Sequence, residues 1–297
     1  MTHFQIAAPV AEALQSGQPV VALESTVITH GLPYPENLAL ARNMEAEVQK
    51  YGATPATIAV LNGVVQVGVD GAQLEYLAQT QALHKISTRD FGPAAALGWS
   101  GGTTVAGTLL AAQLAGIRVF ATGGIGGVHR DPPTDISADL PALAHTPVCV
   151  VCAGAKAILD LDATLEYLET AGVPVIGYQT DDFPAFYSRS SGLKASGRAD
   201  TPQQAARIAL AHWSYGLESA VLVVNPPPEE AALPAEAVQA EIEQALAEAA
   251  ALKIRGQAVT PFLLGRVSEL SGGASLRANL ALLLNNARVA ALIAAQM

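Results

Sequence analysis

The chain has 297 residues, close to the length at which one hydrophobic core stops growing, so one domain spanning 1–297 is expected. Hydrophobic residues make up 51% and charged residues 14%, a balance that suits a parallel sheet covered by helices on both faces. A formal charge of -10 argues against unassisted binding to nucleic acid, which needs a basic surface.

Met1 to Ile6 has no basic segment ahead of an apolar stretch, so a cytoplasmic protein is expected. Strands are predicted over 19–23, 57–61, 118–122, 148–152, 173–176 and 220–224, each a short apolar, β-branched run. Helices are predicted between them over 35–51, 103–115, 156–171, 201–215 and 234–252. Their starts are marked by Pro35, by Thr103 and Thr104, by Asp200 with Pro202, and by Pro234. Asp181 to Lys194 reads as a loop, either beside a site or simply at the surface. Asn225-Pro-Pro-Pro-Glu229 is a stiff connection rather than a domain boundary. From Ser275, Leu276, Leu280, Leu283, Leu284 and Ile293 recur at helical spacing and should pack on the core or on a neighbouring subunit. Asn285, Asn286 and Arg288 interrupt that stretch, so no membrane span is expected. The alternation predicts an α/β fold: a single domain with a largely parallel sheet flanked by helices on both faces.

Cys149 and Cys152 are the only cysteines, and side chains three apart in a strand face opposite ways, so both read as core rather than a redox pair. Lys156 follows a strongly apolar strand, where open α/β sheets place ligands. Partial burial there would disfavour the ammonium and leave an amine able to form a Schiff base. A lysine snorkelling into solvent is the alternative. Asp135 and Asp139 are four apart, so a helical turn would join them as a site for a hard cation, or as acidic residues at a helix start. Glu24 closes an apolar strand and, if desolvated, would hold a proton to donate; a salt-bridged edge residue is the other possibility. Thr122-Gly-Gly-Ile-Gly-Gly127 allows close backbone approach to an anion, but its spacing is not that of a dinucleotide-binding loop.

The chain resembles the pseudouridine-5'-phosphate glycosidase family, which also includes indigoidine-cluster accessory proteins. The matching strings include ALESTVITHGLPYPENL from Ala22, GATPATIAVLNG from Gly52, KISTRD from Lys85 and GGTTVAGTL from Gly101. They continue with VFATGGIGGVHR from Val119, DISADL from Asp135, VCAGAKAILDLDATLEYLETAGVPVIGY from Val151 and FPAFYSRSSG from Phe183. VTPFLL from Val259 and SLRANLALLLNNA from Ser275 complete the series, which runs through most of the chain in order.

The resemblance implies Lys156 as nucleophile and Glu24 as proton donor. It implies a manganese ion held at Asp135 largely through water, with Ser137, Ala138 and Asp139 lining the substrate. Lys85 and Val105 match substrate-contacting positions, Lys85 at the phosphate, and Thr122, His129 and Asn279 match further pocket positions. The implied activity is reversible conversion of pseudouridine 5'-phosphate and water to uracil and ribose 5-phosphate through a lysine imine, by a homotrimer. Two departures stand out: the segment 131–134 looks shorter than the family's, and Asn225-Pro-Pro-Pro-Glu229 replaces the usual Asn-Pro-Ile-Pro-Glu. Two rival readings remain, an aldolase-type lyase using the same lysine on another sugar phosphate and a non-catalytic pigment-pathway accessory protein.

Overall fold

The computed structural model describes residues 3–130, 134–254 and 256–297; of the short segment 131–134 noted above, 131–133 lie outside the described residues. Apolar runs form strands β1 (Phe4–Ile6), β2 (Val20–Leu23), β3 (Thr54–Leu61), β4 (Val64–Val67), β5 (His84–Ile86) and β6 (Gly101–Thr103). They continue with β7 (Val119–Ala121), β8 (Cys149–Cys152), β9 (Val175–Tyr178), β10 (Gly197–Ala199) and β11 (Val221–Val224). The helices are α1 (Ala8–Gln15), α2 (Glu36–Lys50), α3 (Gly71–Gln79), α4 (Phe91–Leu97), α5 (Val105–Ala115) and α6 (Asp139–Ala144). After them come α7 (Leu161–Thr170), α8 (Pro202–Ser214), α9 (Ala235–Ala251), α10 (Val259–Leu270) and α11 (Ala274–Ala294). Polar side chains set several helix starts. Thr104 accepts the Gly107 N–H at 3.2 Å, Asp160 that of Ala163 at 3.0 Å and Thr201 that of Gln204 at 3.2 Å. Each such cap contributes about 1 kcal/mol.

The sheet runs in the order β1-β4-β3-β2-β7-β8-β11-β9-β10, with β6 joined to β3 and β5 to β6. From β3 through β10 every pair along this order is parallel. The sheet is therefore largely parallel, as its composition suggests. It turns antiparallel along the second half of β3, where Ala59 faces Gln66 of β4 and Gly102 of β6. Asn62 and Gly63 connect β3 to β4 with φ of 49° and 77°, the two positive values that a tight hairpin turn needs.

Every residue of β2, β7, β8 and β11 is buried, and these strands form the floor of the core. Helix α11 lies across β2, β7 and β8 and packs on α2 and α8, while α5 packs on β2, β3 and β4 and against α6. Cys149 and Cys152 are wholly buried and unbridged, as expected. Burial pushes both thiols up to about 12. Among the described residues, no helix is long and apolar enough to cross a membrane.

One predicted helix is corrected. It begins at Leu161 rather than at residue 156. The intervening backbone bonds to the glycine turn instead: Lys156 N–H donates to the Ile125 carbonyl at 3.1 Å and Asp160 N–H to that of Val128 at 2.9 Å. Gly154 starts this departure with φ of 86°, and a Cβ there would lie 2.4 Å from the Pro184 carbonyl.

Candidate active site

Strands β2, β7, β8 and β11 are neighbours, and their carboxyl ends lead into Glu24, Thr122, the Ala153–Lys156 turn and Asn225. From β2 the chain moves outward one way to β3, whereas β7 on the other side of β2 is followed outward by β8. At such a reversal the connecting segments diverge and leave a crevice at the strand ends. A cavity of about 350 Å³ opens there. It is lined by Glu24, Lys85, Val105, His129, Asp135, Ser137, Ala138, Asp139, Lys156 and Asn279, so the structure gathers residues spread from position 24 to position 279.

Thr122, expected in the pocket, is instead behind it. It is wholly buried, and its hydroxyl donates to Glu24 Oε1 while the Thr26 hydroxyl donates to Oε2. Glu24 is 8% exposed, and its carboxyl group is oriented from both sides by these hydroxyls and makes no salt bridge among the described residues.

The expected pairing of Asp135 with Asp139 on a helical turn is also corrected. Helix α6 begins only at Asp139, and the chain before it is irregular, with Ile136 bridged to Val128. Asp139 is buried and its two oxygens accept backbone N–H groups: Oδ1 from Ala106 at 2.9 Å, Oδ2 from Gly126 at 2.8 Å. Asp135 is exposed at the cavity. The Gly126 amide is thus directed at protein rather than at a ligand. A Cβ at Gly126 would lie 2.2 Å from Ser137 Oγ, so only glycine fits there.

Lys156 is half-buried, as is Lys85. The Lys85 ammonium is held below the ordinary lysine range first by burial and next by the like charge of Lys156, with Asp139 and Glu24 opposing. Burial and then the Lys85 charge likewise push the His30 imidazole down, against a backbone hydrogen bond at Leu83. Lys85 and Lys156 thus share the cavity closely enough to repel, two amines able to face an anionic ligand beside the carboxyl groups of Glu24, Asp135 and Asp139. Arg130 braces the Lys156 turn from beneath, donating to the Leu159 and Ala157 carbonyls, each at 3.1 Å.

Several lining residues have no counterpart in the sequence-based set: Thr26, His30, Ser87, Arg89 and Phe186. Ser87 and Arg89 alternate with Lys85 in the KISTRD string, which was a legible signal. His30 comes from a π-helical turn over Val27–Gly31, a local form that periodicity does not reveal. Phe186 belongs to the loop flagged from composition and has φ of 60°, a strained conformation for a bulky residue that the surrounding packing must hold.

Among the described residues no three His, Cys, Asp or Glu side chains cluster as metal ligands. A hard divalent cation accommodates itself to a single carboxylate with water in the remaining positions, and exposed Asp135 is a donor of that kind.

The family described as "Indigoidine synthase A like protein" matches residues 9–296. A pseudouridine-5'-phosphate glycosidase of Solibacter usitatus is 56% identical over 297 residues, 99% of each chain. Its counterpart in Deinococcus radiodurans is 54% identical over 99% of this chain and 95% of its own. Among solved structures, the prealnumycin C-glycosynthase AlnA in complex with ribulose 5-phosphate superposes with a TM-score of 0.92 at 43% identity, covering 100% of this chain and 97% of that one. An indigoidine synthase A-like protein of Thermotoga maritima gives 0.90 at 34% identity, covering 98% and 95%. With a family match along nearly its whole length and relatives more than half identical, the chain belongs to the indigoidine synthase A-like family.

Proposed function

We propose that this chain is an enzyme that cleaves the carbon–carbon glycosidic bond of pseudouridine 5'-phosphate, reversibly yielding uracil and ribose 5-phosphate through an imine on Lys156. The observation that carries it is the meeting of Lys156, Glu24 and Asp139 in one cavity with a second, half-buried lysine, Lys85, to meet an anion. Glycosidase names on relatives above 50% identity, and a sugar phosphate in the related C-glycosynthase, support the same chemistry.

An ordinary glycosidase protonates an oxygen leaving group. Here C1' is bonded to C5 of uracil, so an electron source is needed as well as an acid. Lys156 attacks C1' through its nitrogen lone pair while the C1'–O4' bond breaks and Glu24 delivers a proton to O4', and the ammonium so formed passes a proton back to the Glu24 carboxylate. The nitrogen lone pair then forms the imine as the C1'–C5 bond breaks, its electron pair leaving with the base. C5 takes up a proton, assisted by Asp139, and uracil departs. Water adds to the imine, releasing ribose 5-phosphate and restoring the amine. Lys85 binds the phosphate end while His129 lines the same pocket, and that remote binding energy holds C1' against Lys156. Val105, Ser137, Ala138 and Asn279 complete the wall, and Thr122 orients Glu24.

A manganese ion, where present, would be held by Asp135 and would order water and offset negative charge beside the substrate. Family resemblance is the support for that ion and for a homotrimer; sedimentation velocity tests the trimer. For the reaction itself, uracil release from pseudouridine 5'-phosphate is expected, with borohydride trapping a ribose-phosphate adduct on Lys156. A folded Lys156→Ala chain with undiminished turnover would refute the assignment, and imine trapping without uracil release would favour an aldolase-type lyase.

A further inference from the structure

Helix α11 buries an aliphatic face on the sheet, with Leu282, Leu283, Ala287 and Ala290 around one amide side chain, Asn286, that is 0% exposed. An amide so placed is stable only if its donors and acceptor are used. Asn286 Oδ1 accepts from Asn225 Nδ2 at 3.0 Å, and Asn286 Nδ2 donates to the Thr122 carbonyl at 2.8 Å. It also reaches the Gly123 carbonyl at 3.4 Å. Two carbonyl oxygens can only accept, so the NH2 end must face them and the amide has one workable orientation. On its other side Thr122 donates its N–H to the Val151 carbonyl at 3.0 Å. The Thr122 backbone is thus gripped from α11 and from β8, and its hydroxyl is left pointing at Glu24.

We propose that Asn286 is a positioning residue: locked by Asn225, it fixes Thr122 so that the Thr122 hydroxyl holds Glu24 in the orientation that delivers a proton to the opening sugar ring. The chain of contacts runs from β11 through α11 to β7 and β2, joining the ends of three strands to the acid without touching substrate. The inference rests on the proton-donor role given to Glu24 under the proposed function. Space-filling alone does not account for the amide, since an aliphatic residue of similar size would fill the site but leave the Thr122 carbonyl and the Asn225 amide without these partners.

The test is a double-mutant cycle on uracil release from pseudouridine 5'-phosphate, using Asn286→Leu, Thr122→Val and the pair, with folding checked by circular dichroism. Each single change should lower kcat by about tenfold or more, within the range that misplacing a general acid allows, and leave KM within about threefold. Because Asn286 acts through Thr122, the double variant should lose no more than the worse single one; independent, multiplying losses overturn the proposal. A rise in KM with kcat kept would overturn it as well. Should Asn286→Leu fail to fold, Asn225→Ala keeps the amide but removes its lock: a several-fold fall in kcat is expected, and an unchanged kcat is fatal to the idea. Glu24→Gln separates the two levels. If that chain is inactive while Asn286→Leu keeps its kcat, only the positioning role falls; if Glu24→Gln turns over normally, the acid assignment falls and the positioning role with it.

Discussion

Asp139 Oδ2 accepts the Gly126 N–H at 2.8 Å, which ties the acidic segment to the glycine turn at the head of the cavity. Oδ1 of the same carboxylate takes the Ala106 N–H at the start of α5, so one buried side chain clamps two elements. Asp139→Asn would replace one acceptor with an NH2 facing a backbone N–H. The expected cost is about 1–3 kcal/mol, read as a fall in thermal midpoint, with uracil release lowered beyond what the lost stability explains. Gly126→Ala should destabilise by a similar amount, about 1–3 kcal/mol, because its Cβ would meet Ser137 Oγ and, at 2.8 Å, Asp139 Oδ2.

Lys85 carries a proton in the unfolded chain up to the ordinary lysine value of 10.5 and releases it earlier when folded. Between its folded value and 10.5 the unfolded state holds more protons, so stability rises with pH across that window. Below it, folding bears the full cost of keeping this ammonium buried beside Lys156, only partly offset by Asp139 and Glu24. Lys85→Met should therefore be more stable than the parent at pH 7, with the gap closing as pH approaches the lysine range. Its KM for pseudouridine 5'-phosphate should rise more than its kcat falls, as expected for a residue that binds phosphate in ground and transition states alike. Thermal scans at several pH values and steady-state kinetics check both halves.

Cys149 and Cys152 present thiols pushed up to about 12 by burial, so neither offers thiolate to a reagent at neutral pH. Iodoacetamide should label neither in the folded protein and both in denaturant; rapid native labelling would contradict the buried strand.

Chelation should abolish uracil release, and manganese should restore it. Asp135→Ala should raise the manganese concentration needed for half-maximal activity by about tenfold or more, with unfolding behaviour close to the parent because the side chain is exposed. Indifference of the native chain to chelators would remove Asp135 from this role.

The four central strands were legible in the sequence because each is an unbroken apolar run, and a run buried on both faces admits few other readings. Glu24 and Lys156 stood out for the same reason: each closes or follows such a run, and a charged group there lies at the ligand-binding edge of an α/β sheet. Strands of three residues such as β1, β5 and β10 left no periodic trace, since pattern needs length. Spacing likewise set Asp135 and Asp139 on one turn, when the backbone between them instead bonds to the glycine loop, Ser137 N–H donating to the Gly127 carbonyl at 3.0 Å. Sequence by itself thus determined the apolar core strands, the longer helices and which polar groups sit at their ends, because local burial writes a local pattern. Only the tertiary structure decided that Thr122 serves Glu24 from 98 positions away and that Asn286 serves Thr122 from 164, because such contacts depend on which elements lie side by side, and β2 and β7 are neighbours in the sheet although β3 to β6 lie between them in the chain.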